Sequence, residues 1–158
     1  TLMQVMIENA GASKGALIWL EGDSLFVAAQ CAIAQGCNLQ STPIVNSQEI
    51  PITLINYVWR TSETLAINDA TTETNFAADP YIIQQQPKSI LCLPIQHQGK
   101  AIALLYLENN LISAAFTPDR LELLKVLSAQ AAISISNAQL YAQLKKSENL
   151  LAEYNHTL

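Results

Sequence analysis

The stretch Ser89-Ile-Leu-Cys-Leu-Pro-Ile-Gln-His-Gln-Gly-Lys-Ala-Ile-Ala-Leu-Leu-Tyr-Leu-Glu-Asn109 decides how the rest of the chain is read. Its two arms, Ile90–Ile95 and Ala101–Leu107, are apolar at nearly every position, which marks strands covered on both faces. His97-Gln-Gly-Lys100 between them is a short turn, so the arms form a hairpin. Pro94 has no N–H to give a ladder and signals either an edge or a bulge. After a stop at Glu108-Asn-Asn110, a helix opens at Phe116-Thr-Pro-Asp119. Thr117 suits the N-cap, Pro118 the first helical position, and Asp119 and Glu122 the positive end of the dipole. No breaker interrupts this helix up to Leu158. At 1.5 Å per residue it would span about 60 Å, against about 35 Å for a compact body made of the remaining residues. Part of it must project or pair with another chain. Leu140, Leu144, Ser147, Leu151, Tyr154 and Leu158 follow a 4-3-4-3-4 spacing, a coiled-coil seam broken only by Ser147.

Upstream, Leu2, Val5, Met6 and Ala10 recur at helical spacing, and Gly11 is a stop. Ala16–Leu20 reads as a strand, Glu21-Gly22-Asp23 as a tight turn, and Leu25–Ile33 as a second strand with one better-buried face. Gln40–Pro51, rich in Ser, Thr, Asn and Pro, reads as loop. Ile52–Arg60 has helical phase, Leu65–Ile67 is a brief strand, and Asn68–Pro80 is a polar connection before one or two helical turns at Tyr81–Gln86. Long ordered connections in a small domain tend to carry function. With the terminal helices on one face of the apolar sheet, only the 40–88 helix and loops remain to roof the other, the usual setting of a small-molecule pocket.

Half of the 158 residues are hydrophobic, enough for one domain with a real core. The net charge is −5; residues 1–99 hold three Lys/Arg against eight Asp/Glu, and residues 100–158 hold five of each. With no basic patch for a phosphate backbone, nucleic acid is not an expected partner. No apolar run approaches the roughly 20 residues needed to span a bilayer, and the first ten residues lack the basic flank and cleavage site of a signal peptide. Lacking an initiator Met and stopping at Asn155-His-Thr-Leu158 without a helix-stop signal, the chain reads as an excised domain of a larger protein, with a reducing cytosol the default setting for its cysteines. Cys31, Cys37 and Cys92 form no CxxC pair and are odd in number, so no disulfide framework is expected. His97 is placed in an exposed turn, and the chain lacks the ligands for a metal site.

Several segments together resemble a GAF domain. They are Glu8-Asn-Ala-Gly-Ala12, Arg60-Thr-Ser-Glu63, Ile67-Asn-Asp-Ala70, Asp79-Pro-Tyr-Ile82, Ser89–Ile95, Gly99-Lys100, Leu105-Tyr-Leu-Glu-Asn109, Phe116-Thr117 and the helix from Arg120 to Tyr141. The chain looks most like the GAF domains of bacterial, cyanobacterial-type multi-domain sensor histidine kinases. That resemblance implies an α+β fold in α/β/α layers with an antiparallel sheet of about six strands. Terminal helices would cover one face, and loops with short helices would roof a pocket on the other. It implies a sensory domain over 1–140, the start of a signalling linker over 141–158, a homodimer through the terminal helices and a downstream kinase domain in the same polypeptide. The fragment itself is then not an enzyme.

The segment from Phe76 to Lys88, where phytochrome-like members attach a bilin, holds neither Cys nor His. A covalent bilin is not expected there. The cyclic-nucleotide signature is met only in part, since Asn109-Asn110 replaces Asn-Lys and Asp119 stands one place too close to Phe116. Free methionine-R-sulfoxide reductases share the fold and use three cysteines, but none here has their flanking residues. The cofactor thus stays unassigned. Trp59, Asp69, Asn75, Phe76, Tyr81 and Cys92 are the candidate ligand residues. Each has a plainer reading: core packing for Trp59, sheet cover for Asn75, Phe76 and Tyr81, a turn for Asp69, an inert buried thiol for Cys92. Arg60 is placed to clamp a loop carboxylate such as Asp69, or to meet an anionic ligand. Leu140, Leu144, Leu151, Tyr154 and Leu158 are the candidate dimer and signalling positions. A sensory module is the leading reading, a ligand-free dimerisation spacer the second, and a small redox enzyme the third.

Overall fold

The structure is a computed structural model that describes residues 2–33, 35–72 and 75–157. Helix α1 (Leu2–Ala10) leads into β1 (Lys14–Glu21), β2 (Ser24–Ala32) and β3 (Gly36–Pro43), then a 3-10 turn at Ile44–Asn46. Helix α2 (Ile52–Thr61), β4 (Leu65–Ile67), α3 (Pro80–Gln85), β5 (Ser89–His97), β6 (Lys100–Asn109) and α4 (Pro118–Thr157) follow. The strands form one six-stranded antiparallel sheet in the order β3-β2-β1-β6-β5-β4.

The β5–β6 hairpin turns on Gln98 and Gly99, both at positive φ (54° and 78°), the backbone of a two-residue turn whose twist matches the strands. Both arms are buried on both faces. Ile90, Cys92, Leu104 and Tyr106 join a cluster with α2 and α3, while Leu91, Leu93, Ile95, Ala103, Leu105 and Leu107 join one with α1 and α4. Pro94 is resolved as a local edge: β4 pairs only with Ile90–Cys92, so β5 has no outer strand partner at Pro94, and a register shift follows between Ile95 and Gln96. His97 is half-buried as the last residue of β5, not an exposed turn residue.

Gly11 ends α1 at φ 72°, and a Cβ there would lie 2.5 Å from the Arg120 guanidinium. Only glycine lets the α1–β1 turn sit against the start of α4. Arg120 in turn donates to the Ala115 carbonyl at 2.7 Å, and Thr117 caps α4, accepting from the Arg120 N–H at 3.4 Å.

Two further expectations are corrected. The Gln40–Pro51 loop begins with the second half of β3 and the 3-10 turn. Strand β3 is an edge strand with little apolar patterning, and its Leu39 is 91% exposed, so nothing in its composition separates it from loop. The second follows from the first: Cys31 and Cys37 are direct partners across β2 and β3, with Cα atoms 4.1 Å apart, and are joined in a disulfide. Cys92 remains a free, buried thiol.

The disulfide closes a loop of sequence separation 6, for which chain entropy allows at most about 2 kcal/mol. Reductant should therefore lower the melting temperature by a few degrees, and a Cys31→Ser/Cys37→Ser double variant should melt at the lower value with or without reductant. Unchanged melting of the wild type, with two further thiols titrating after reduction, would remove any stabilising role of the bond.

Candidate functional site

Strand alternation sends Leu104, Tyr106 and Glu108 of β6 toward α2 and α3, so a carboxylate enters a face that is otherwise apolar. Glu108 and Tyr106 are both 0% exposed. Tyr81, carried by α3, donates its hydroxyl proton to Glu108 Oε1, and Tyr106 donates to the same oxygen at 3.0 Å. Lys14 of β1 donates to the Tyr81 oxygen at 3.0 Å, lies 5.0 Å from the Tyr81 ring centroid and pairs with Glu49. The Asn110 side chain approaches the carboxylate and favours its charged form. Even so, Glu108 Oε2 has no hydrogen-bond partner among the described residues.

Burial pushes the Glu108 carboxyl above its ordinary value, outweighing the opposing pull of Tyr81, Lys14, Tyr106 and Asn110. Burial, then the Glu108 charge, push the Tyr81 and Tyr106 phenols up. Burial alone raises the Cys92 thiol, leaving it without the thiolate character that a nucleophile needs. Glu49 is lowered, first by its hydrogen bond from Lys14. The cluster is thus a set of proton-bearing hydroxyls around a carboxyl that burial holds above its ordinary value.

Asp79 positions Tyr81. It is 4% exposed and caps α3, accepting from the Tyr81 N–H at 2.8 Å. Its other oxygen accepts from the Thr53 N–H at 3.0 Å and from the Thr53 hydroxyl, in the first turn of α2. One buried carboxylate therefore serves the positive ends of two helices.

The structure separates the sequence-predicted ligand residues. Tyr81 and Cys92 lie in the closed core over the sheet, with Cys92 directly opposite Tyr106. Trp59 is half-buried at the margin of that core and also lines a cleft of about 610 Å³ with Trp19, Ile102 and Ala138. Phe76 packs edge-on against Tyr57 at 5.4 Å, and with the exposed Asn75 it lines an open cleft of about 550 Å³ beside β4. Asp69 takes the turn role, accepting from the Thr71 N–H at 2.9 Å and from the Ser113 hydroxyl at 3.5 Å. Arg60 does not clamp it; its guanidinium lies 5.8 Å from the Tyr57 ring centroid. The space expected to be a pocket is filled by Tyr81, Ile82, Val58 and Tyr106. Sequence reasoning missed Glu108, Tyr106, Lys14, Glu49 and Asp79 as a unit. The one available signal was Tyr106 and Glu108 two apart in an apolar strand.

Leu140, Leu144, Leu151 and Tyr154 lie on the part of α4 where every residue from 140 to 154 is exposed. Leu158 is outside the described residues. Among the described residues no helix is long and apolar enough to cross a membrane, and no group of three or more His, Cys, Asp and Glu could hold a metal ion.

A family model described as GAF domain matches residues 1–135. Over 98 residues the chain is 44% identical to Hybrid signal transduction histidine kinase G of Dictyostelium discoideum, covering 62% of this chain and 3% of that protein. Over 111 residues it is 33% identical to Dual 3',5'-cyclic-AMP and -GMP phosphodiesterase 11A of Takifugu rubripes, covering 66% of this chain and 12% of that protein. The chain thus spans a small part of either relative. The solved GAF domain of a two-component sensor histidine kinase from Bacillus halodurans superposes with a TM-score of 0.63 at 21% identity, covering 89% of this chain and 95% of that one.

Because the folded state holds the Glu108 proton more tightly than the unfolded chain, its stabilising contribution is complete below 4.5 and is lost as pH rises through the raised value. Measured by urea unfolding across pH, wild-type stability should fall relative to Glu108→Gln as pH rises above about 4.5. The opposite slope would mean that the buried carboxylate is stabilised in its charged form.

Proposed function

Since this chain belongs to the GAF domain family, we propose that it is a non-catalytic sensory and regulatory module of a signal-transduction histidine kinase. It works in the cytoplasm as a homodimer, and residues 141–158 begin the linker to the kinase. The observation that carries the reading is α4: a helix of 40 residues, about 60 Å long, whose first half packs on the sheet and whose residues from 140 to 154 are all exposed. Leu140, Leu144, Leu151 and Tyr154 are 58–60% exposed there, the apolar side chains a second copy of the helix would bury. The likeness to the Dictyostelium hybrid histidine kinase supports the choice of output.

The purified chain should sediment as a dimer at protomer concentrations on the order of tens of micromolar, and Leu144→Glu with Leu151→Glu should shift it to a folded monomer whose unfolding midpoint is lower and no longer depends on concentration. A wild-type monomer at that concentration would end the dimer proposal.

The filled roof favours a state in which Tyr81 occupies the place a ligand would take, as in the ligand-free spacer. One observation favours a small molecule all the same: Glu108 Oε2 is fully buried and lacks a partner among the described residues, the kind of vacancy a donor-bearing ligand satisfies. The proposed contacts are then Tyr81 and Cys92 at the floor, with Trp59, Asp69, Asn75 and Phe76 nearer the entrance. A ligand at one hundred times its dissociation constant stabilises by about 2.7 kcal/mol, so a melting screen of cyclic nucleotides, bilins and metabolites reads it directly. A flat screen assigns the domain to the spacer role. A redox enzyme is disfavoured, because Cys92 is 0% exposed and its thiol is raised by burial.

A further inference from the structure

Beyond Cys92 the outer edge of β5 has no strand beside it. There the α2–β4 connection, turning at Ser62 with φ 56°, and the first half of α4 enclose a cleft of about 380 Å³ that shares no residue with the Glu108 cluster. Its polar lining is Ser62, Thr64, Gln96, Lys125 and Ser128.

Three features define what this cleft would hold. Lys125 is the one charged residue lining it, and it forms no ion pair among the described residues. No carboxylate lines the cleft, in a chain whose net charge is −5. Ser128 is 5% exposed, and its Oγ has no hydrogen-bond partner among the described residues. A buried hydroxyl without a partner is uncommon in a folded protein and asks for an explanation. The hydroxyls of Ser62 and Thr64 and the amide of Gln96 add neutral donors opposite it.

We propose that this cleft is a binding site for a small oxyanion, a carboxylate- or phosphate-bearing molecule held by Lys125 and Ser128 of α4 and by Ser62, Thr64 and Gln96 at the sheet edge. Charge-assisted hydrogen bonds from an ammonium group to an anionic oxygen are the stronger kind, so Lys125 supplies most of the attraction and the hydroxyls fix the orientation. The bound anion bridges α4 to the sheet edge and stabilises the docked position of the helix by mass action. The site goes beyond the role proposed above and stands apart from the α3-covered face.

The test titrates the whole chain with inorganic phosphate and, separately, succinate, against sodium chloride at matched ionic strength. It follows backbone amide shifts and heat of binding. A saturable response with a dissociation constant of about 1 mM or tighter is expected for at least one probe. The probe that binds tells a phosphate from a carboxylate source. Lys125→Gln should weaken binding about tenfold or more, and Ser128→Ala several-fold. Both variants should melt as the wild type does without probe, since Lys125 is exposed and the Ser128 hydroxyl has no bond to lose. In the wild type the saturating shifts should centre on Thr64, Gln96 and Ser128, which locates the site even if a variant folds poorly. A response no larger than that to chloride, shifts centred elsewhere, or affinity unchanged in either folded variant would overturn the proposal.

Discussion

Strand β6 is buried on both faces, and that constraint organises the molecule. It lies between β1 and β5 in the sheet, with Leu104 and Tyr106 in one core cluster and Ala103, Leu105 and Leu107 in the other. A strand so enclosed leaves no water to solvate a charge, so a carboxyl on it must be met by protein groups or hold its proton. Position 108 is a glutamate, and the placement of the roof follows. Helix α3 must come close enough for the Tyr81 hydroxyl to reach Oε1 beside that of Tyr106. Asp79 fixes that approach by capping α3 while bonding the first turn of α2. The two short helices are held to each other and to the floor by two buried carboxyl groups, and apolar packing by Leu54, Ile55, Val58 and Ile82 fills the rest.

The elements that sequence made legible are those whose pattern has a physical cause acting within a few residues. The doubly apolar arms at 90–107, the Gln98-Gly99 turn, the Gly11 stop and the Thr117-Pro118 helix start each follow from burial period, positive φ or capping, and each is found where expected. Strand β3 was illegible because an edge strand needs only backbone partners: Gly36–Pro43 pairs with β2 while exposing Leu39. The Cys31–Cys37 bond was lost with it, since a cross-strand pair is visible only once the register is known. The polar cluster was illegible for a different reason. Lys14, Glu49, Tyr81 and Glu108 come from four separate segments, and no local period links them. Only the acid two places after Tyr106 in an apolar strand carried a trace of it.

Both faces of the sheet are connected by hydrogen bonds at the end of β6. Asn109, the last residue of β6, donates to the Gly11 carbonyl at 2.7 Å and accepts from the Leu111 and Ile112 N–H groups at 2.8 and 2.9 Å. The Ala114 N–H donates to the Asn68 carbonyl at 2.9 Å, and the Ser113 hydroxyl reaches Asp69 at 3.5 Å. Ser89 donates to the Ile112 carbonyl at 2.7 Å and accepts from the Ala115 N–H at 3.0 Å. The Ala115 carbonyl in turn takes the Arg120 guanidinium, which fills the space above Gly11.

The turn at 68–72, which begins the roof, is therefore tied by hydrogen bonds to the 110–117 segment, and that segment to the first turn of α4 and the end of α1. The bonds that Ser89 and Asn109 make are partly buried, while those from Ser113 and Ala114 to the 68–69 turn lie at the surface. A displacement of the 68–72 turn must either break several of them or carry the start of α4 with it. Moving a helix as a body keeps its internal ladder intact and alters only side-chain contacts, so the second course is the less costly. A helix pivoted at Arg120 would have its largest displacement at its far end, where Leu140, Leu144 and Leu151 are exposed.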